Sequence, residues 1–155
     1  MSSLLSAAGL GATLSALWLA HGGAARASPN RVLWAFLGST LAVAALMFAG
    51  NLSVAIAIMA AYGFAGETRR TGTVSILQTA VSDAQRGRVM GAQFLLERVA
   101  GGIGAILIGS AAERTGLRTP MLAAVAIALA PWCVAIVNRK RIFAAFRPSA
   151  PTPSK

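Results

Sequence analysis

Long apolar runs separated by short polar stretches dominate the chain. A helix needs about 20 mostly apolar residues to cross the hydrocarbon core of a lipid bilayer. Apolar runs of about this length occupy residues 4–20, 32–49, 52–80, 89–112 and 121–137. Their Ala- and Leu-rich sequences do not alternate strictly between apolar and polar residues, which favours helices over the strands of a β-barrel. The pattern therefore predicts an all-α fold, a polytopic membrane helix bundle with about five transmembrane helices.

The composition agrees with a lipid environment. Hydrophobic residues make up 56% of the 155 residues and charged residues 12%, whereas soluble domains carry about 25% charged residues. Fourteen Lys and Arg residues against four acidic ones give a formal charge of +10. Most of these cations lie between the apolar runs and near the C-terminus, where they suit lipid headgroups. We therefore expect the lipid bilayer as a partner and no nucleic acid.

The distribution of basic residues predicts the orientation. With five spans, one side of the membrane receives only Arg114 and Arg118. The other side receives nine, namely Arg26, Arg31, Arg86, Arg88, Arg139, Lys140, Arg141, Arg147 and Lys155. Because cytoplasmic loops carry the excess of Lys and Arg, the C-terminus is predicted to be cytoplasmic and Met1 to lie outside. The expected location is the cell membrane, with the bacterial inner membrane as the favoured case.

The two ends of the chain call for separate interpretations. Residues 1–146 are predicted to form the helix bundle, and 147–155 a disordered cytoplasmic tail because this segment is polar and rich in Pro. An alternative for the first apolar run is a cleavable signal peptide, since 25–27 reads Ala-Arg-Ala. No Lys or Arg precedes that run and Arg26 lies inside the small-residue motif, which both disfavour cleavage.

The third and fourth runs contain charged residues, namely Glu67, Arg69, Arg70, Glu97 and Arg98. A charge at the centre of a lone membrane helix costs about 2.5 to 3.5 kcal/mol, so these residues should face protein or water. Glu67 and Arg70 lie one helical turn apart and can pair. Arg69 points roughly 200° away from Glu67, so we expect Glu97 as its partner. Arg98 can pair with Glu67 in the same way.

Two interpretations of these charges remain open. In the first, they only lock two helices together. In the second, they line a polar cavity that handles a substrate or a proton, since ionisable groups inside a membrane usually serve a pathway. Glu67 and Glu97 are the acidic residues deep in the predicted spans and so the candidate proton carriers.

The fourth run also contains small residues at four-residue spacing. Every fourth residue from Gln93 to Gly109 forms a stripe along one side of the helix. Its first two members, Gln93 and Glu97, are polar, and the next three, Gly101, Ala105 and Gly109, are small. Small side chains at this spacing let a neighbouring helix approach closely in lipid. Gly101, Ala105 and Gly109 are therefore predicted to form a helix packing face.

The sequence gives no indication of an enzyme. His21 is the single histidine and lies at the end of the first run, and the single cysteine, Cys133, lies in an apolar run. We find no Gly-x-Ser-x-Gly elbow and no phosphate-binding loop. We therefore expect no catalytic residues, no metal and no cofactor.

Residues 76–91 read Ile-Leu-Gln-Thr-Ala-Val-Ser-Asp-Ala-Gln-Arg-Gly-Arg-Val-Met-Gly. This stretch resembles the cytoplasmic loop before the eleventh helix in major facilitator superfamily transporters of the enterobactin-exporter-like, or transmembrane secretion effector, group. Those proteins typically read Leu-Gln-x-x-Val-Pro-Asp-x-x-Arg-Gly-Arg-Val. The matching positions are Gln78, Asp83, Arg86, Gly87 and Arg88, and Ser82 stands where the family has Pro. Residues 7–12 and 109–118 are similar to the start of the eighth helix and to the turn into the twelfth.

The resemblance implies that the chain corresponds to helices eight to twelve of a twelve-helix transporter built from two halves. In the family, the tenth and eleventh helices help to form the central cavity and the twelfth ends in the cytoplasm. The loop at 21–31 lacks the acidic residue and the Gly-Arg pattern of the superfamily signature.

Two functional hypotheses follow. The first is the C-terminal portion of a drug- or metabolite-efflux permease that works by alternating access on a small-molecule substrate, with a separate N-terminal transporter half as partner. On this hypothesis, we expect the fragment to need that half for transport. The second is a noncatalytic membrane-embedded packing partner, or a truncated remnant that does not transport.

Overall fold

The computed structural model describes residues 2–22 and 28–138. This part of the chain forms helices joined by short turns, without a strand in the described ranges. The helices are α1 (Ser2–Gly22), α2 (Pro29–Leu46), α3 (Leu52–Ala80), α4 (Asp83–Thr115) and α5 (Arg118–Val137). The all-α prediction is confirmed. The predicted tail and the cations Arg26, Arg139, Lys140, Arg141, Arg147 and Lys155 lie outside the described residues.

Capping residues explain where helices α2 and α3 begin. Ser28 caps α2 by accepting a hydrogen bond from the Arg31 amide, and Pro29 occupies the first turn, where no amide donor is needed. Asn51 caps α3 through a 2.9 Å bond from the Val54 amide. The third predicted run matches α3 at both ends. α4 begins six residues before the predicted run at 89, because the polar stretch from Asp83 is also helical.

Three of the five helices are long and apolar enough to cross a membrane by length and composition, namely α1, α4 and α5. α2 begins with the polar residues Pro29, Asn30 and Arg31, and the apolar run of α3 ends at Glu67. The prediction of five apolar spans therefore holds for three helices of the described chain. These three are compatible with a membrane-embedded protein.

α3 is the central helix of the bundle. It packs against α1 on one side and α2 on the other, α2 also contacts α5, and α5 contacts α4. α3 and α4 follow one another in the sequence but barely touch. The neighbour order is therefore α1, α3, α2, α5, α4, which leaves α4 at the edge with no buried residue.

Glycines allow α1 and α3 to approach closely. A Cβ at Gly11 would overlap the carbonyl oxygen of Ala60, and one at Gly63 would overlap that of Ala8. A buried 2.7 Å hydrogen bond joins Ser15 to Thr68 at the same contact. Since the Thr68 hydroxyl donates to Phe64 O at 2.8 Å, the Ser15 hydroxyl is the donor to Thr68. This contact is the close helix packing expected between helices in lipid.

The predicted packing face on α4 has no such neighbour. No other described helix comes within 4 Å of a Cβ placed at Gly101 or Gly109, and Ala105 is exposed. No described helix of this chain packs on the stripe, so its packing role stays a prediction. The reason is that α4 contacts the bundle almost entirely through α5.

Burial in this bundle runs opposite to that of a soluble protein. The buried side chains among the described residues are small or polar, and include Ala7, Ser15, Ser39 and Thr40. Large apolar side chains point outward, with Leu5 77% and Ile127 73% exposed. A soluble domain buries Leu and Ile and rarely exposes large contiguous apolar patches. The outer surface of this bundle therefore suits lipid.

Candidate functional site

Glu67 and Arg70 pair just past the midpoint of α3. Arg70 Nη1 lies 3.8 Å from Glu67 Oε2, and the Thr71 hydroxyl donates to Glu67 Oε1 at 2.9 Å. The Glu67 side chain is 26% exposed and that of Arg70 55%. The pairing predicted from helical spacing is confirmed. Arg70 lies against one oxygen of the Glu67 carboxylate, and the Thr71 hydroxyl donates to the other.

The two ion pairs expected between helices are absent. Among the described residues, neither Arg69 with Glu97 nor Arg98 with Glu67 comes within 4 Å. Both predictions are wrong because α4 lies beside α5 and not along α3. Glu97 instead accepts a 3.2 Å hydrogen bond from Gln93 Nε2 on its own helix.

Arg69 lines a cleft formed by residues of α2, α3, α4 and α5, which we call the Arg69 cleft. Its volume is about 380 Å³. The described residues that line it are Phe36, Ser39, Thr40, Val43, Tyr62, Arg69, Ile108, Met121, Ala124, Val125 and Ala128. Four residues of α2 and four of α5 recur at spacings of three and four, which places each set on one face of its helix. Among these lining residues, Arg69 alone is charged.

The packing of α3 aims Arg69 into this cleft. Thr68 faces α1, where Ser15 binds it, and the next residue is rotated by about 100° on the helix. Gly72, nearly one turn beyond Arg69, lies against α2, where a Cβ would come within 2.6 Å of Val32 Cγ2. α3 is thus fixed by neighbours on two sides, with Arg69 on the face towards the cleft.

The hydroxyl groups of the cleft divide into acceptors and a donor. Ser39 and Thr40 each donate to Phe36 O at 2.9 Å, so their oxygens are left as acceptors. The Tyr62 hydroxyl and the Arg69 guanidinium make no hydrogen bond within the described chain. These two groups can therefore donate to a bound molecule.

The α3–α4 turn brings together three of the five predicted loop-motif residues. Arg86 Nη2 lies 2.8 Å from Asp83 Oδ1 and donates to Gln78 O at 3.1 Å. It thus links the last turn of α3, where carbonyls lack helical partners, to the first turn of α4. The Asp83 side chain is 89% exposed, so this contact adds little stability. Gly87 and Arg88 are exposed and take no part in it.

Sequence reasoning missed most of the cleft. Ser39, Thr40 and Tyr62 were not singled out, although two adjacent hydroxyl residues within an apolar helix were a signal for a polar contact. It also missed Trp132, whose indole nitrogen donates to Leu33 O at 3.0 Å and ties α5 to α2. Trp132 also meets Trp34 edge to face, with 6.0 Å between ring centroids.

The site has the chemistry of binding. It combines one cation, one free phenol donor and two hydroxyl acceptors with apolar walls. In the described ranges, no group of three His, Cys, Asp or Glu residues is placed to hold a metal ion. Comparison of the chain with protein-family models, curated proteins and solved structures finds no match.

Proposed function

We propose that the chain is part of a membrane transport protein, the C-terminal portion of a major facilitator efflux permease. The observation that carries this proposal is the position of Arg69, a cation in a cleft of a bundle with an apolar outer surface. Ionisable groups in such bundles are costly and mark substrate or ion pathways. A packing role alone does not account for Arg69, because no described group pairs with it.

The α3–α4 turn supports the family part of the proposal. It falls on the stretch whose sequence resembles the loop before the eleventh helix of the enterobactin-exporter-like group. Arg86 of that motif contacts both Gln78 and Asp83. Through its bond to Gln78 O, Arg86 joins the last turn of α3 to the first turn of α4. In the family, the corresponding tenth and eleventh helices help to form the central cavity.

In this proposal, a separate N-terminal transporter half covers the free surface of α4. That helix is 33 residues long and has no buried residue. Transporters of this kind bind their substrate between two halves near the middle of the membrane. The small-molecule substrate would reach Arg69 from the space between the halves, in the inner membrane of a bacterium.

A second candidate function is a membrane-embedded packing partner, or a remnant that does not transport. The exposed stripe of Gly101, Ala105 and Gly109 favours it, because small residues promote helix association in lipid. This function needs the α4 face and does not need the Arg69 cleft. The two candidates therefore respond differently to substitutions at the two places.

Transport into vesicles separates the candidates. The chain is expressed alone and together with the N-terminal half of a transporter of the resembling group, and accumulation of a panel of fluorescent drugs is measured in inverted vesicles. We expect accumulation with both parts present, and its loss in Arg69→Gln. Assembly of the two parts without accumulation of any compound, in vesicles where an intact transporter is active, would favour the packing partner.

A further inference from the structure

Within the described residues, the cation of the Arg69 cleft has no counter-charge. No carboxylate of the described chain lies within 4 Å of the Arg69 guanidinium. Glu67, two residues away, is engaged by Arg70 and by the Thr71 hydroxyl. A guanidinium presents a planar fork of donors that suits a carboxylate or phosphate group. The cleft therefore offers a place for an anionic group that belongs to another molecule.

The rest of the cleft suits an apolar body attached to that anionic group. Phe36 and Val43 of α2 and Val125 of α5 supply apolar walls, and the volume of about 380 Å³ is in the range of small-molecule pockets. Tyr62 lies seven residues before Arg69 on the same face of α3, about 10 Å along the helix axis. Its free hydroxyl can donate to a second polar group of the bound molecule.

We infer that the Arg69 cleft binds an amphipathic organic anion. Its acidic group pairs with Arg69, and its apolar body lies between α2 and α5. A free apolar carboxylate and the headgroup of an anionic lipid share this chemistry. The inference names the class of molecule carried, and to that extent it rests on the proposed function. Binding at equilibrium, however, is measured without transport.

The test uses the full chain in nanodiscs of phosphatidylcholine, titrated calorimetrically with 4-phenylbutyrate and with the neutral 4-phenylbutanamide. We expect saturable binding of the carboxylate and binding of the amide that is weaker by about tenfold or more, since the charge-assisted pair is lost. Arg69→Gln should weaken carboxylate binding by a similar factor. Arg114→Gln, which removes the same charge outside the cleft, should leave binding unchanged.

Two further measurements complete the test. Ala128→Phe fills the cleft and keeps Arg69, so it should abolish binding even if Arg69→Gln does not fold. Discs containing phosphatidylglycerol, at salt that screens their surface charge, distinguish the two sources of the anion. Weaker 4-phenylbutyrate binding in those discs identifies the lipid headgroup as the occupant, and unchanged binding identifies the free acid.

Several results would overturn the inference. The first is that 4-phenylbutyrate does not bind saturably, and the second is that the acid and the amide bind equally. The third is that Arg69→Gln or Ala128→Phe binds 4-phenylbutyrate as well as the unaltered chain does. Loss of vesicle transport with intact carboxylate binding would refute the transport proposal alone. Transport with no carboxylate binding would refute this inference alone.

Discussion

At the scale of single residues, the bundle depends on small side chains at the α1–α3 contact. Gly11 and Gly63 each face a carbonyl oxygen of the opposite helix, so neither position has room for a Cβ. The Ser15–Thr68 hydrogen bond fixes the same pair of helices further along. The stability of this contact therefore depends on the absence of side-chain volume.

Gly63→Ala should separate α1 from α3 and lower the stability of the chain. Overpacking of a well-packed contact costs about 1 to 3 kcal/mol, which should appear as a lower melting temperature in mild detergent. Gly66→Ala is the matched control, because a Cβ there meets nothing within 4 Å. Equal melting temperatures of the two variants would contradict the close contact.

Helical geometry alone predicted the Glu67–Arg70 pair, because both residues lie on one helix. It could not predict the surroundings of Arg69, which depend on which helices become neighbours in space. The Arg69–Glu97 expectation assumed that α3 and α4 pack together because they are consecutive. The short turn instead leads into a helix that packs on α5. Intrahelical contacts were thus predictable, while contacts between helices were not.

At the scale of whole elements, α4 differs from the other helices. It contacts the described bundle mainly through α5, and it carries exposed Leu95, Leu96, Ile106 and Leu107. Its small-residue stripe and its apolar character are both visible in the sequence. The sequence did not reveal that the stripe faces away from the described helices, since every face of α4 is similarly apolar. The packing role of the stripe thus stays a prediction.

Gly101→Leu and Gly109→Leu should leave the stability of the isolated chain unchanged, because both positions are open. They should instead weaken assembly with an N-terminal transporter half by blocking close helix approach. The measurement is copurification of a tagged half with each variant. Ala100→Leu, about 100° around the helix from Gly101, is the control. Loss of assembly in the control to the same extent would argue against a specific face.

At the scale of the whole molecule, the fold class followed from the apolar runs, and three helices meet the requirements of a membrane span. The orientation rests on the asymmetry of Lys and Arg outside the predicted spans, with nine on one side of the membrane and two on the other. Much of this asymmetry lies outside the described residues, so it is a prediction from sequence. α2 begins with polar residues and α3 contains charged ones, which explains why these two helices are less apolar than a membrane span requires.

A reporter fused after Lys155 tests the orientation. Because cytoplasmic loops carry the excess of basic residues, a fluorescent reporter that folds only in the cytoplasm should be bright there. Alkaline phosphatase, which is active only outside the cytoplasm, should be silent at the same position. Active phosphatase with a dark fluorescent reporter would reverse the predicted orientation.

We expect lipid to cover the outside of the bundle and the Arg69 cleft to open to water. Thiol accessibility in intact membranes tests it most directly, in a Cys133→Ala background that removes the single native cysteine. Cysteine replaces either Arg69 or Ile127, whose side chain is 73% exposed on α5, and a charged, membrane-impermeant thiol reagent is added. We expect labelling at 69, no labelling at 127, and labelling of both positions after denaturation in detergent. Labelling at 127 in intact membranes, or none at 69 from either side of the membrane, would contradict it.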